Sequence, residues 1–224
     1  MINKNIHYFW FGDNKKNDLV QNCIRSWHHH LADYTITEWN EKNYDVNRSN
    51  FSKKAFREKK WAFLSDYARL DVLHENGGIY LDTDMEILKS LNNLLDCTLF
   101  IGMESETHVN GSIIGSIAGH WFLEEMLNEY DKLETYETIP VIMTRVLSRH
   151  LLLKNIIQQR FDISIYPTEY FYPFGFNEKF SKKKITLNTY SIHWWNHSWS
   201  SHTVKVLKKL NLLNSVLWIK KQLF

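Results

Sequence analysis

Asp82 and Asp84, with Thr83 between them, close a short apolar run, Ile79-Tyr80-Leu81, that follows the pair Gly77-Gly78. Two carboxylates one residue apart offer the oxygen ligands that hard divalent cations take. Ile79, Tyr80 and Leu81 are β-prone and the diglycine can adopt φ > 0, so a helix should stop there and a buried strand begin. Side chains alternate along a strand, which puts Asp82 and Asp84 on one face. A bend after Asp82 then lets one carboxylate ligate a cation while the other holds its water or a ribose hydroxyl. The chemistry expected is that of a metal-diphosphate site. Acid pairs also occur in ordinary solvated turns, so the flanking residues must decide.

Upstream, Trp61 to Asn76 has helical spacing and a natural end at Asn76-Gly77. Leu64, Ala68 and Val72 form one stripe; Ala62, Asp66, Arg69 and Leu73 form a second, setting Asp66 beside Arg69 on a face that is otherwise apolar. A surface ion pair there would contribute little. The alternative is that Arg69 reaches a phosphate or sugar hydroxyl beside the metal while Asp66 binds a donor sugar.

The order Ala62-Phe63-Leu64-Ser65-Asp66-Tyr67-Ala68-Arg69-Leu70, then Gly77-Gly78-Ile79-Tyr80-Leu81-Asp82-Thr83-Asp84, resembles the DXD block of family 32 glycosyltransferases. That group is similar to yeast mannosyltransferases, glucosylating clostridial toxins and bacterial capsule or lipopolysaccharide transferases. The block is short but specific, because helix, diglycine turn and DXD must fall in register. The resemblance implies a retaining nucleotide-sugar transferase that uses manganese or magnesium (Mn2+ or Mg2+). It implies an α/β fold of GT-A type, a single Rossmann-like domain with a mixed, mostly parallel sheet flanked by helices. Asp66, Arg69, Asp82 and Asp84 are the catalytic candidates, with Tyr80 assisting at the diphosphate or sugar.

The elements that must carry these groups begin with Ile6 to Phe11, an apolar and aromatic run closed by Gly12-Asp13 that reads as a first strand. Ligands of open α/β sheets lie outside the carboxyl ends of strands, where Trp10 could stack on a flat base. Packing is the ordinary fate of a single aromatic. Trp10 resembles the family's uracil-contacting tryptophan, which makes it a donor-binding candidate and favours UDP as the carrier. Leu19 to Leu31 reads as an amphipathic helix and Tyr34 to Trp39 as a second strand, a βαβ beginning. His28-His29-His30 cannot converge on one ion, since consecutive helical residues point about 100° apart; they read as a wet helix end.

Residues 41–60 are polar and basic, a solvated helix face. Past the DXD, strands are expected at Met85 to Leu88, Thr98 to Met103 and Ser112 to Ile117. The polar loop Glu104 to Gly111 offers Asn110 for donor-sugar or acceptor hydroxyls. Helices are expected from His120 to Lys132 and, behind Pro140, from Ile139 to Leu153. The aromatic stretch 161–180 reads equally as a sugar-facing wall or a packed loop.

Tyr190 to Ser200 is the second stretch with chemical content. Many bacterial relatives close the catalytic domain with His-His-x-x-x-Ser-Trp; His193, Ser198 and Trp199 match, and Trp194 replaces the second histidine. His193, with His197 as alternate, is therefore the candidate late metal ligand, since neutral imidazole can bind manganese. Ser198 and Trp199 would close over the donor diphosphate. Residues 1–200 form the expected transferase domain, and 201–224 a basic amphipathic tail. Lys205, Lys208, Lys209, Lys220 and Lys221 are interleaved there with leucines and Trp218. Such a tail packs on its own domain or rests on an anionic membrane surface, which would suit a lipid-linked acceptor.

A chain of 224 residues with 44% apolar content can bury one full core. Its net charge of +2 lacks the basic excess of a nucleic-acid binder. Cys23 and Cys97 fit a reducing compartment better than a disulfide framework. With no long apolar segment, the expected location is cytoplasmic, or peripheral on the inner face of the plasma membrane, in surface polysaccharide synthesis. The expected acceptor is a saccharide or a lipid-linked saccharide. Two rivals remain open at this point. Leu81-Asp82-Thr83-Asp84 also resembles the first motif of HAD-type phosphatases, although Glu86 stands where Thr or Val is wanted and no late acidic pair follows. The nine tryptophans could instead serve a non-catalytic sugar-binding protein.

Overall fold

The computed structural model describes residues 1–196. Its pivot is the diglycine, where the chain leaves a helix and enters the sheet. Gly77 and Gly78 have φ of 63° and 102°. A Cβ on Gly78 would stand 2.5 Å from the Asn5 carbonyl oxygen and 3.0 Å from His7 Nε2. Both the backbone conformation and the close approach therefore demand glycine. His7 secures the turn: its Nδ1 accepts from the Trp39 indole at 3.1 Å, leaving Nε2–H to donate to the Gly77 carbonyl at 3.0 Å.

In chain order the elements are β1 (Asn5–Phe9), α1 (Asp18–His30), β2 (Thr35–Trp39), α2 (Asn50–Arg57), α3 (Trp61–Asn76), β3 (Gly78–Leu81), β4 (Met85–Ile87), β5 (Leu99–Met103), β6 (Val109–Ser116), α4 (Trp121–Asp131), α5 (Ile139–Leu147), β7 (Gln158–Arg160), β8 (Ile163–Tyr166), α6 (Thr168–Phe171) and β9 (Ser191–His193). The main sheet has the order β2-β1-β3-β6-β5-β8-β7, and β4 pairs with β9 in a separate ribbon. Strands β1, β2, β3, β5 and β8 run one way and β6 and β7 the other, the mixed, mostly parallel arrangement expected. The carboxyl ends of β1, β2 and β3 thus gather Trp10, Trp39 and Asp82 along one edge.

Helix α3 forms where expected, but it is buried on both of its stripes. It lies between the sheet and the helices α2 and α4, so the whole stretch from Leu64 to Leu73 except Ser65 is in the interior or close to it. Apolar residues on one side of the sheet pack under α3, α4 and α5, while Trp27 and Leu31 of α1 pack with Ile79, Leu81, Met85 and Phe171 on the other.

Several boundaries differ from the sequence reading. Strand β1 ends at Phe9, and Trp10 N–H turns to the Trp39 carbonyl while Phe11 goes into the core. The basic segment ahead of α3 is not merely a solvated face: α2 buries Phe51, Ser52 and Ala55 and carries a Ser49–Ser52 capping box. Strand β6 starts at Val109, taking Asn110 and Gly111 out of the loop. Helix α5 stops at Leu147, and Leu152 beyond it is 75% exposed. In the aromatic stretch Phe171, Tyr172 and Phe174 are buried, which makes it chiefly a packed segment. Among the described residues, no helix is long and apolar enough to cross a membrane, and both cysteines are free thiols.

Candidate active site

Strand β3 stops at Leu81 because the chain turns tightly, Met85 N–H returning to the Asp82 carbonyl at 3.0 Å. This turn, rather than strand alternation, aims the two carboxylates. Ser112 of β6 accepts the Asp82 N–H at 2.8 Å, fixing the start of the turn to the sheet. Beyond the turn, β4 pairs antiparallel with β9, with Met85 opposite His193 and Ile87 opposite Ser191. That register sets His193 beside the DXD. One ligand atom from each of Asp82, Asp84 and His193 lies within 4.8 Å of the others.

Asp84 Oδ1 is 3.3 Å from His193 Nε2, and its Oδ2 accepts the Asn196 backbone N–H at 2.6 Å. Trp194 N–H donates to the Asp84 carbonyl at 3.0 Å, and its indole to Glu86 at 2.8 Å. Trp194, just past β9, is thus a clasp that holds this segment to β4 and the DXD turn. Burial works to raise the Asp84 carboxyl pKa, but the positive His193 ring and the hydrogen bonds hold it below the ordinary value. Burial works against the charged His193 ring, and Asp84 outweighs it, so the pKa is raised. His193 Nδ1 is buried with no hydrogen-bond partner among the described residues. Two carboxylates and an imidazole converging in a buried spot, one ring nitrogen unsatisfied, are a donor set that fits Mn2+ or Mg2+, with the imidazole favouring manganese. An ion held there would compete with the contact between Asp84 and His193.

Asp66 and Arg69 meet as their spacing requires, at 2.7 Å. Arg69 also pairs with Asp82 at 3.2 Å, donates to the Gly111 carbonyl at 2.8 Å and the Ser65 carbonyl at 3.1 Å, and lies 4.3 Å from the Tyr80 ring centroid. It is 4% exposed. Where the sequence reading has Arg69 reaching a phosphate or sugar hydroxyl, the structure turns its donors to Asp66, Asp82, Ser65 and Gly111, so that it fixes the two acids. Burial would lower its pKa, but Asp82, Tyr80 and Asp66 raise it on balance, so it stays charged. Tyr80 is likewise turned inward, its hydroxyl donating to Asp82 at 2.5 Å. Burial lifts the Asp66 carboxyl to about 6, against the opposing charge of Arg69.

Asn110 is also repositioned. It is 5% exposed, its Oδ1 accepts from the Ser112 hydroxyl at 2.6 Å and its Nδ2 donates to Glu104 at 2.5 Å. Ser112 Oγ in turn lies 3.5 Å from His193 Nε2. Asn110 is thus a bridge behind the metal triad rather than a free loop amide. Burial raises the Glu104 carboxyl, opposed by Asn110 and His193. Glu104, Ser112, Asn196 and Tyr172, whose ring lies 5.8 Å from that of His193, escape sequence reasoning. Only strand pairing brings them to the DXD.

Trp10 is half-buried at the end of β1, its indole N–H donating to the Asn14 carbonyl at 2.7 Å and Lys16 Nζ lying 5.3 Å from its ring centroid. It stands at the carboxyl edge of the sheet, next to the end of β1. His197, Ser198, Trp199 and the basic tail lie outside the described residues.

Comparison with known proteins agrees with this geometry. The family described as glycosyltransferase sugar-binding region containing DXD motif matches residues 17–101, and the alpha 1,4-glycosyltransferase conserved region matches residues 117–217. The chain is 30% identical over 148 residues to a lactosylceramide 4-alpha-galactosyltransferase of Pongo pygmaeus, covering 59% of this chain and 66% of that protein. It is 26% identical over 160 residues to a human alpha-1,4-N-acetylglucosaminyltransferase, covering 64% and 45%. The chain thus spans less than two thirds of the length of these relatives. Among solved structures, galactosyltransferase LgtC, in complex with donor and acceptor sugar analogs, superposes with a TM-score of 0.51 at 12% identity, covering 94% of this chain and 95% of that one. This likeness establishes the GT-A fold. Neither the phosphatase reading of the acid pair nor a non-catalytic sugar-binding protein finds support in these matches.

Proposed function

Because the chain belongs to the DXD-containing glycosyltransferases, we propose that it moves a galactose, a glucose or an N-acetylhexosamine from a UDP-sugar to a saccharide or lipid-linked saccharide, with retention and in an α-1,4 linkage. The observation that carries the reading is the convergence of Asp82, Asp84 and His193 beside the buried Asp66–Arg69–Asp82 cluster. The α-1,4 linkage and the choice between galactose and N-acetylglucosamine rest on the names of the relatives. UDP rests on Trp10.

Asp82, Asp84 and His193 would hold a divalent cation, which when bound neutralises charge on the departing diphosphate. Trp10 stacks on the base. Asp66 accepts hydroxyls of the donor sugar, held in place by Arg69, which also orients Asp82. No side chain stands as a covalent nucleophile; the acceptor hydroxyl attacks the anomeric carbon on the face the diphosphate leaves. The bond from that carbon to the phosphate oxygen breaks as the new glycosidic bond forms, and the hydroxyl proton passes to the departing oxygen. The basic segment 204–224 would bring the enzyme to an anionic membrane, and a role in surface polysaccharide synthesis follows from a lipid-linked acceptor.

A panel of UDP- and GDP-sugars, assayed for hydrolysis with manganese and with chelator, tests the reading. Manganese-dependent release of UDP from UDP-galactose, UDP-glucose or an N-acetyl counterpart is the expected result. Release from GDP-sugars alone, or indifference to chelator, would overturn it.

A further inference from the structure

Between α6 and β9 the chain makes a turn that the transferase site does not use. Leu187 at its tip is 96% exposed, against near-complete burial for most leucines of the described chain. An apolar side chain so displayed usually sits on a loose loop, but this one is braced. Thr189 N–H donates to the Thr186 carbonyl at 3.2 Å and Thr186 N–H to the Thr189 hydroxyl at 3.0 Å. Asn188 donates to the Thr186 hydroxyl at 3.1 Å and, through its side chain, to Glu169 at 2.7 Å. Lys89 donates to the Leu187 carbonyl. The leucine is thus held outward by its neighbours.

The chain leading into it is basic. Lys179, Lys182 and Lys183 are exposed, and Lys184 pairs with Glu178 at 2.5 Å. Residues 178–188 carry four lysines against one acid, Glu178, and Lys89 and Glu169 reach the turn from other stretches of chain. The turn lies at the far end of the β4–β9 ribbon from Asp84 and His193, where Leu88 N–H meets the Tyr190 carbonyl at 2.9 Å. Three strand residues span about 10 Å, so a surface touched by Leu187 would lie within reach of a sugar headgroup standing above it.

We infer that the turn 179–189 is a contact for an anionic lipid bilayer, Leu187 entering the acyl boundary and Lys179, Lys182 and Lys183 lying among the headgroups. A single protruding leucine in a lysine-rich stretch suits a bilayer, which needs no shaped groove; a protein partner would have to supply a pocket. The inference deepens the reading of a membrane-borne acceptor. It is tested without turnover, so the two can fail separately.

The experiment is co-sedimentation of the full chain with vesicles of phosphatidylglycerol and phosphatidylcholine in equal parts, and of phosphatidylcholine alone, at low salt. The parent should bind the anionic vesicles and leave the neutral ones. Leu187→Asp should lower the partition coefficient about tenfold through lost apolar burial. Lys182→Glu with Lys183→Glu should lower it at least about tenfold, since each lysine near such a surface contributes about 1 kcal/mol. Both variants alter exposed side chains and should keep the parent's unfolding midpoint and hydrolysis of the sugar nucleotide. Lys53→Glu with Lys60→Glu, in the separate basic stretch around α2, should bind as the parent does. The inference is overturned if the parent ignores anionic vesicles, if the Leu187 variant binds undiminished, or if the control variant loses as much as the loop variants. It is equally overturned if only Lys220→Glu with Lys221→Glu, in the tail, releases the protein.

Discussion

Asp84 and His193, far apart in the chain, stand 3.3 Å apart because Met85 and His193 are paired residues of the β4–β9 ribbon. The ribbon therefore assembles the triad, and its integrity is a condition of metal binding. If Asp84 and His193 are the ligands proposed, Asp84→Asn and His193→Ala should each weaken manganese-dependent UDP binding by more than about a hundredfold. Titration calorimetry with and without manganese checks this. UDP affinity that keeps its manganese dependence in Asp84→Asn would remove the metal role.

Arg69 holds two carboxylates in a nearly sealed pocket, so its replacement acts on folding before it acts on chemistry. Arg69→Met leaves Asp66 and Asp82 side by side without a cation and should cost about 3 to 5 kcal/mol. Arg69→Lys keeps a charge but loses the fork that reaches Gly111 and both acids, and should cost about 2 kcal/mol. Urea unfolding measures both; a loss of turnover with parental stability would return Arg69 to direct substrate contact.

Asp66 titrates near 6 because burial disfavours its charge. As pH falls through that value the carboxylate becomes neutral and loses acceptor capacity for sugar hydroxyls, so kcat/KM should fall on the acid side. In Asp66→Asn the limb should vanish along with most of the activity. A limb that persists in the variant belongs to another group.

Trp10→Ala should raise the donor KM more than it lowers kcat, because stacking on a base contributes equally in ground and transition states. Steady-state kinetics with the preferred donor give the answer. A loss confined to kcat would place the indole at the reacting centre instead.

Gly78→Ala should destabilise the fold by about 3 kcal/mol, since the added carbon meets the Asn5 carbonyl oxygen and the residue must hold a φ of 102°. A lowered urea midpoint with an unchanged slope is the expected signature.

The local features were legible in the amino acids themselves. Helical spacing in Trp61 to Asn76 placed Asp66 beside Arg69, and the diglycine fixed where β3 begins, because both depend on residues a turn or two apart. Asp82 and Asp84 declared an oxygen-ligand site by type and spacing. What the spacing left open was which way each group points. Arg69 and Tyr80 face inward because β6 and α3 close over them, a packing that neither segment contains alone. Asn110 left its expected loop because β5 extends the pairing of β6 to Val109. The meeting of His193 with Asp84, the Asn196 N–H on the same carboxylate, and the Glu104–Asn110–Ser112 bridge depend on contacts between distant stretches of chain. Such contacts follow from strand register and from the entropy of closing long loops, to which the order of residues within any one segment is blind.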